Sequence, residues 1–200
     1  MPRQRKAKII LGVTGTIGSG KSTVARMFKA KDCLLVYADR LAHGSFKPGS
    51  PVYKKVVAYF GEGILRRGRI DRGKLARVVF VNKPALVKLN TIVHKAVIAD
   101  IRRRIKESKK KLIILDAALI IESGLRKMVD KLVVVKAGRQ QQIARSRRRL
   151  GISRDEALQR MKYQVSQGVK LRLADFIIDN SGLISETRKQ VSGIKKALAR

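Results

Sequence analysis

Five short apolar runs punctuate the chain, at 9–14, 34–38, 112–115, 132–135 and 176–178. Each is rich in Leu or β-branched residues and lacks polar alternation, the pattern of strands buried on both faces of a parallel sheet. Between them the apolar positions take helical spacing. Leu89, Ile92, Val93, Ala96, Val97, Ile101 and Ile105 recur at three- and four-residue steps and predict one buried stripe. Val191, Ile194 and Leu198 do the same near the C-terminus. Strands alternating with helices predict an α/β fold, a five-stranded parallel sheet core flanked by helices.

The spacing of the runs is uneven. Between the second and third only helix-like patterns appear, and between the fourth and fifth lie the polar stretches 140–149 and 155–167. Two helical insertions in one domain are therefore expected, over about 48–110 and about 139–168. The core is left with about 1–47, 111–138 and 169–200.

Composition narrows the class. A chain of 200 residues with 44% apolar content can bury a core, which excludes a disordered tail. Lys and Arg total 47 against 14 Asp and Glu, a net charge of +33. Such a chain attracts polyanions in a salt-dependent way, but charge names neither fold nor reaction. Cys33 stands alone, which excludes an internal disulfide and a cysteine zinc site and favours a reducing compartment. No stretch reaches the roughly 18 apolar residues of a membrane span; the longest candidate, 112–121, is interrupted by Asp116. The basic residues 1–8 lead into a short apolar run and then glycines, which fits neither a secretory nor a transit peptide. A soluble cytoplasmic protein is expected, with no membrane and no obligate protein partner implied.

Directly after the first run comes Gly15-Thr16-Ile17-Gly18-Ser19-Gly20-Lys21-Ser22-Thr23. This fits G-x-x-x-x-G-K-[ST] with a strand before it and a helix after it. The glycines let backbone N–H groups turn inward on phosphate oxygens at a helix N-terminus. Lys21 reaches the β- and γ-phosphates of a nucleoside triphosphate, and the Ser22 hydroxyl is placed to ligate Mg²⁺. The only Asn-Lys pair, Asn82-Lys83, is followed by Pro84 and Ala85, so the base-reading motif of GTPases is missing. Ser22 follows the loop lysine where adenylate kinases usually carry Gly. The paired Asp-x-Asp and triple glycine of shikimate kinases are absent too. Small-molecule kinases remain.

Three acids close three of the runs: Asp39, Asp116 and Asp179. In an open α/β sheet ligands bind beyond the carboxyl ends of the strands. Asp39 is thus a candidate to accept a proton from an acceptor hydroxyl. Asp116 falls where a Walker-B acid serves Mg²⁺. The plainer alternative for all three is capping of the next helix or turn.

Along nearly its whole length the chain resembles the dephospho-CoA kinase family. The resemblance rests on 13–25 around the phosphate loop and on Ala38-Asp39, the second half of that family's Asp-Ala-Asp motif. Phe60-Gly61, Ile70-Asp71-Arg72, Leu75, Val79-Phe80, His94, Leu119, Ile120 and Glu122 follow in order. So do Gln142 to Arg145, Arg149, Gln164 and the stretch 175–182. The resemblance implies a P-loop kinase fold and ATP-dependent phosphorylation of the ribose 3′-hydroxyl of dephospho-CoA. It implies Asp39 as the base, with Lys21, Arg145 and Arg149 offsetting charge on the transferred group. It makes 48–110 the acceptor-binding insertion, with Asp71, Arg72 and His94 near dephospho-CoA, joined by Leu119 and Glu122, and 139–168 the lid. Arg145 and Arg149 stand at i and i+4 and so share a helix face, though the 147–149 run also reads as a solvated basic surface. His94 also reads as an ordinary helix-surface histidine. The chain departs from the family pattern at Tyr37, where the first Asp of the motif stands, and at Lys95 and Ala118, where prolines are usual.

The basic excess exceeds what a nucleotide site needs. Runs at 102–104, 109–111 and 147–149, with Arg3, Arg5, Lys6 and Lys8, leave open a rival reading as a nucleic-acid-binding ATPase. Against it, Phe and Tyr number only 5 and 4, Trp is absent, and the basic runs lack interleaved aromatics for base stacking. The preferred expectation is a kinase with a basic surface that binds RNA non-specifically at low salt. Another small-molecule or nucleotide P-loop kinase is the nearer alternative.

Overall fold

The central apolar run becomes the middle of a sheet because both of its faces are covered. A computed structural model describes residues 8–198; the basic residues Arg3, Arg5 and Lys6 lie outside the described residues. The chain opens with β1 (Ile9–Thr14), α1 (Lys21–Phe28) and β2 (Cys33–Tyr37). Next come α2 (Ala38–Gly44), α3 (Pro51–Phe60), β3 (Leu65–Arg66), β4 (Arg69–Ile70), α4 (Arg72–Val79) and α5 (Lys83–Glu107). Then β5 (Leu112–Asp116), β6 (Lys131–Lys136), α6 (Arg139–Leu150) and α7 (Arg154–Lys162) follow. Last are α8 (Gln167–Arg172), β7 (Phe176–Asp179) and α9 (Ile184–Leu198).

The main sheet has five parallel strands in the order β2-β5-β1-β6-β7. On one face Val24, Ala25 and Phe28 of α1 and Val191 and Ile194 of α9 pack with Leu11, Val13, Ile114, Val133, Val135 and Ile178. On the other face a Cβ at Gly12 would meet Val129 Cγ1 at 2.8 Å and Ile120 Cδ1 at 3.1 Å, so the segment after β5 lies directly on β1. Coverage of both faces is why the central strands β5, β1 and β6 lack polar alternation. Among the described residues no helix is long and apolar enough to cross a membrane.

The chain divides into two compact units, one running to Tyr37 and resuming at Ser108, the other spanning Ala38–Glu107. The sheet belongs to the first. In the second, Ala85, Leu89, Val93, Val97 and Ile101 form the buried stripe of α5, and α2, α3 and α4 pack on that helix. Ser50 caps α3, with its side chain accepting from the Tyr53 amide and Pro51 in the first turn.

Two expectations need correction. Between β2 and β5 the chain is not purely helical: β3 and β4 form an antiparallel hairpin. Arg67 and Gly68 turn it with φ of 49° and 70°, and the Tyr53 hydroxyl donates to the Gly68 carbonyl at 2.8 Å. Strands this short show no periodicity. The polar stretch 155–167 is likewise broken, because Ser166 caps a new helix by accepting from the Val169 amide.

Candidate active site

The phosphate loop leaves the central strand β1 and enters α1. Gly20 is the N-cap of α1 with φ 89° and ψ 17°, and no side chain caps the helix. The first-turn amides of a helix have no intrahelical acceptors, and the aligned peptide dipoles favour an anion there. Lys21 opens the helix; Ser22 and Thr23 follow it. The guanidinium of Arg145, from α6, approaches the same loop. Its Nη2 donates to the Asn180 carbonyl at 3.0 Å, and its Nη1 lies 4.0 Å from where a Gly20 Cβ would stand. Nη1 of Arg145 and Oγ of Ser19 are both buried with no hydrogen-bond partner among the described residues. Buried donors left without acceptors are costly, and a bound phosphate would satisfy them. Arg149, one turn further along α6, is exposed.

Side-chain amides from distant segments brace the loop from outside. Thr16 Oγ1 donates to Gln142 Oε1 at 2.8 Å. The Ile17 amide donates to Gln164 Oε1 at 2.9 Å, so that N–H is committed to the protein. Asn180 Nδ2 donates to the Ser19 carbonyl at 2.8 Å while its Oδ1 accepts from Thr187. Gln142 in turn donates to the Ala137 carbonyl and to Gln167 Oε1, each at 2.7 Å. Groups of the protein itself thus hold the loop in shape, as electrostatic preorganisation requires. The sequence placed Gln142, Gln164 and Asn180 in the family order and gave them no task.

Asp116 ends β5 and is 1% exposed, with Oδ1 3.8 Å from Lys21 Nζ. Beyond it, Ala117 donates its amide to the Val13 carbonyl, and the Ala118 carbonyl accepts from Thr14 Oγ1. Leu119 is half-buried in the following turn, where its carbonyl accepts from Ser123. Glu122 Oε1 accepts from the Val165 amide at 2.8 Å and pairs with Lys170 Nζ at 3.1 Å. Glu122 is therefore engaged in holding backbone. Asp179 closes β7, accepting from the Ser181 amide of the turn that follows and pairing with Lys136 Nζ at 3.0 Å. The Ser181 hydrogen bonds and Lys136 hold its carboxyl down at about 2. That is the capping alternative.

Asp39, Asp71, Arg72 and His94 all lie in the second unit. Asp39 occupies the first turn of α2, directly after β2. Asp71 is the N-cap of α4, its Oδ1 accepting from the Gly73 and Lys74 amides at 2.8 and 3.1 Å. The Lys74 amide, aided by Gly73, Arg66 and the Lys74 ammonium, holds that carboxyl below the usual carboxylate range. Arg72 is exposed, and His94 is half-buried in mid-α5. A residue not anticipated from the sequence joins this group: His43 follows Asp39 at i+4 on α2. Burial, then the charge of Arg72, pushes its imidazole down, against a smaller upward pull from Asp39. The spacing Asp39-x-x-x-His43 was the available signal.

Backbone amides, an ammonium and a guanidinium converging on the start of the helix after a central parallel strand are the working parts of a P-loop kinase. Solved structures agree at the level of the fold. A shikimate kinase from Acinetobacter baumannii, in complex with shikimate, superposes with a TM-score of 0.55 at 14% identity over 97% of this chain and 94% of its own. The chain belongs to the dephospho-CoA kinase family, whose sequence model matches residues 9–186. A dephospho-CoA kinase from Carboxydothermus hydrogenoformans is 44% identical over 91% of this chain and 90% of its own. One from Aquifex aeolicus is 43% identical over 95% of this chain and 97% of its own. A crystal structure from Thermus thermophilus matches with a TM-score of 0.81 at 30% identity, covering 97% of this chain and 98% of that one.

Proposed function

We propose that this chain transfers the γ-phosphoryl group of ATP to the ribose 3′-hydroxyl of dephospho-CoA, giving coenzyme A in the last step of its synthesis. Family membership across the chain carries the reaction, and the braced loop with its unsatisfied donors supports the triphosphate end. In this reading the loop 15–23 cradles the β- and γ-phosphates, with Ile17 serving through its hold on Gln164 rather than through its own amide. Lys21 and Arg145 offset charge that builds on the transferred group. Arg149 joins them only if α6 turns its exposed last turn inward, as a lid over 139–168 would do on closing.

Asp39 is assigned as the carboxylate that orients the acceptor hydroxyl and takes its proton. Arg72, His94 and Leu119 are assigned to the acceptor side, with 48–110 as the acceptor-binding insertion. Asp71 and Glu122 are assigned to holding α4 and the turn after β5, because their oxygens already accept backbone amides. Mg²⁺ fits the residues present. Ser22 and Asp116 offer hard oxygen donors, and this ion completes its shell with water and substrate phosphates. When bound, the ion neutralises phosphate charge. A cytoplasmic setting accords with the lone thiol of Cys33. The net charge of +33 supports a second, weaker association with nucleic acid that is separate from catalysis.

The test offers the protein ATP and Mg²⁺ with dephospho-CoA, adenosine, CMP and shikimate in parallel, with products read by mass spectrometry. One phosphate added to dephospho-CoA alone is expected. Preferential phosphorylation of another acceptor, or RNA-stimulated ATP hydrolysis with no phosphorylated product, would overturn the assignment.

A further inference from the structure

Lysine is almost never fully buried unless it is paired, and an ammonium in the interior is costly unless hydrogen-bonded as well. Lys170, on α8, is 0% exposed. Its Nζ donates to the Ala118 carbonyl at 2.6 Å and pairs with Glu122 Oε1 at 3.1 Å. The same Ala118 carbonyl accepts from Thr14 Oγ1 at 3.1 Å, and Thr14 is the last residue of β1, immediately before Gly15. Ala118 itself stands two residues after Asp116, and its neighbour Ala117 is bonded to Val13. The ammonium therefore sits where the entrance to the phosphate loop meets the turn that follows Asp116.

The stretch that delivers Lys170 also touches the loop elsewhere. Gln164 holds the Ile17 amide, Val165 donates to Glu122, and Gln167 accepts from Gln142, which holds Thr16. A strap at 164–170 thus fastens the loop at Thr16 and Ile17 and fastens the turn at Ala118 and Glu122. An apolar side chain would fill the same space without burying an ammonium, but it would strand the Glu122 carboxylate and leave the Ala118 carbonyl bonded to Thr14 alone.

We propose that Lys170 is a positioning residue for phosphoryl transfer. Its ammonium, fixed between the Ala118 carbonyl and Glu122, sets the turn that carries Asp116 against the start of the phosphate loop. This deepens the kinase assignment and rests on it. Residues that orient a reacting group from behind commonly change activity by about 10–100-fold when removed.

The test compares Lys170→Met, Lys170→Arg and the double variant Lys170→Met/Glu122→Leu with the wild type. Conversion of dephospho-CoA by the wild type is established first, so failure of the kinase reading shows there and not in the variants. Each variant is assayed well below its own unfolding midpoint. Lys170→Met is expected to lose about 30-fold in kcat with KM for dephospho-CoA within about 3-fold. Lys170→Arg, which keeps donors at the carbonyl, is expected to recover a measurable part of that rate. If Lys170→Met fails to fold, the double variant decides, since removing both charges relieves the buried imbalance. It is expected to regain the wild-type midpoint while kcat stays low. Wild-type kcat in the folded single or double variant would overturn the proposal, by showing the pair to be structural. A raised KM for dephospho-CoA with kcat retained would overturn it too, by making the pair an acceptor contact.

Discussion

Gly18 occupies a position of the phosphate-loop motif where any residue is allowed, yet the fold leaves no room there for a side chain. Its φ of +77° lies in the left-handed region, and a Cβ would fall on the Gln142 carbonyl oxygen, within 2.7 Å of that residue's carbonyl carbon and Cα. Those are backbone atoms. They cannot step aside, because the Gln142 side chain is bonded to Thr16, Ala137 and Gln167. Gly18→Ala therefore adds about 1–2 kcal/mol of left-handed strain to about 1–3 kcal/mol of overpacking. The sum is about 2–5 kcal/mol. Gly124 makes a control in the same unit: its φ is +76°, with nothing within 4 Å of a Cβ, so Gly124→Ala carries the strain alone.

Denaturant melts of both variants separate the two contributions. Gly18→Ala is expected to be less stable than Gly124→Ala by about 1–3 kcal/mol, equivalent to roughly 2–12 °C in midpoint for a chain of this size. It is also expected to bind an ATP analogue at least about tenfold more weakly, because α6 or the loop must shift. Equal stability of the two variants would refute the close approach of α6 to the loop.

Asp39→Asn is expected to keep affinity for an ATP analogue and to lose most of its turnover, read by calorimetry and product formation; unchanged turnover would remove Asp39 from the chemistry. Lys21→Ala is expected to weaken triphosphate binding as well as the rate, and near-native affinity in a binding titration would contradict the assigned contact. Asp179, held down at about 2 against an ordinary 3.8, contributes stability that is present above its unfolded value and lost as pH falls through its folded value. Solvent screening at this half-exposed site leaves about 1 kcal/mol of it, so Asp179→Asn melts are expected to converge with wild type near pH 2 and to separate above pH 4. RNA is expected to bind with an affinity that falls steeply between about 50 and 200 mM salt and without stimulating ATP turnover; salt-independent binding would refute a purely electrostatic association.

What could be read from the chain follows from how local each signal is. The central strands announce themselves because burial on both faces removes polar positions from their middles, as in Leu132, Val133, Val134 and Val135. The edge strands β2 and β7, though only partly covered, are apolar enough to stand out as well. The α5 stripe is legible for the same reason, one face being wholly apolar. The phosphate loop is contiguous in sequence, so its chemistry is spelled out in one place. Its braces are not. Thr16 meets Gln142, Ile17 meets Gln164 and Ser19 meets Asn180 across separations of 126, 147 and 161 residues. A glutamine carries no local mark of such a partner, and Lys170 in a basic stretch looks like any solvated cation. Asp71 and Glu122 were legible as acids near the site, but only the structure shows which backbone amides they hold. The β3–β4 hairpin stayed hidden because strands of two residues have no period.

The charge imbalance separates what holds the molecule together from what it attracts. With 47 basic against 14 acidic side chains, most cations cannot find an internal partner. Several carboxylates are committed to architecture: Asp71 caps α4, and Asp175 accepts the Leu132 amide beside Lys131 and Arg126. Asp100 is gripped by Arg103 and Arg104 on α5. The remaining positive field is unopposed self-repulsion, which salt screens over a Debye length of about 10 Å at 0.1 M. Salt therefore acts on this protein in two opposite directions. It stabilises the fold by relieving repulsion among surface cations, and it releases any polyanion those cations hold. A buried pair such as Lys170 with Glu122 is shielded from both effects, so the machinery around the phosphate loop keeps its geometry while the surface changes its partners.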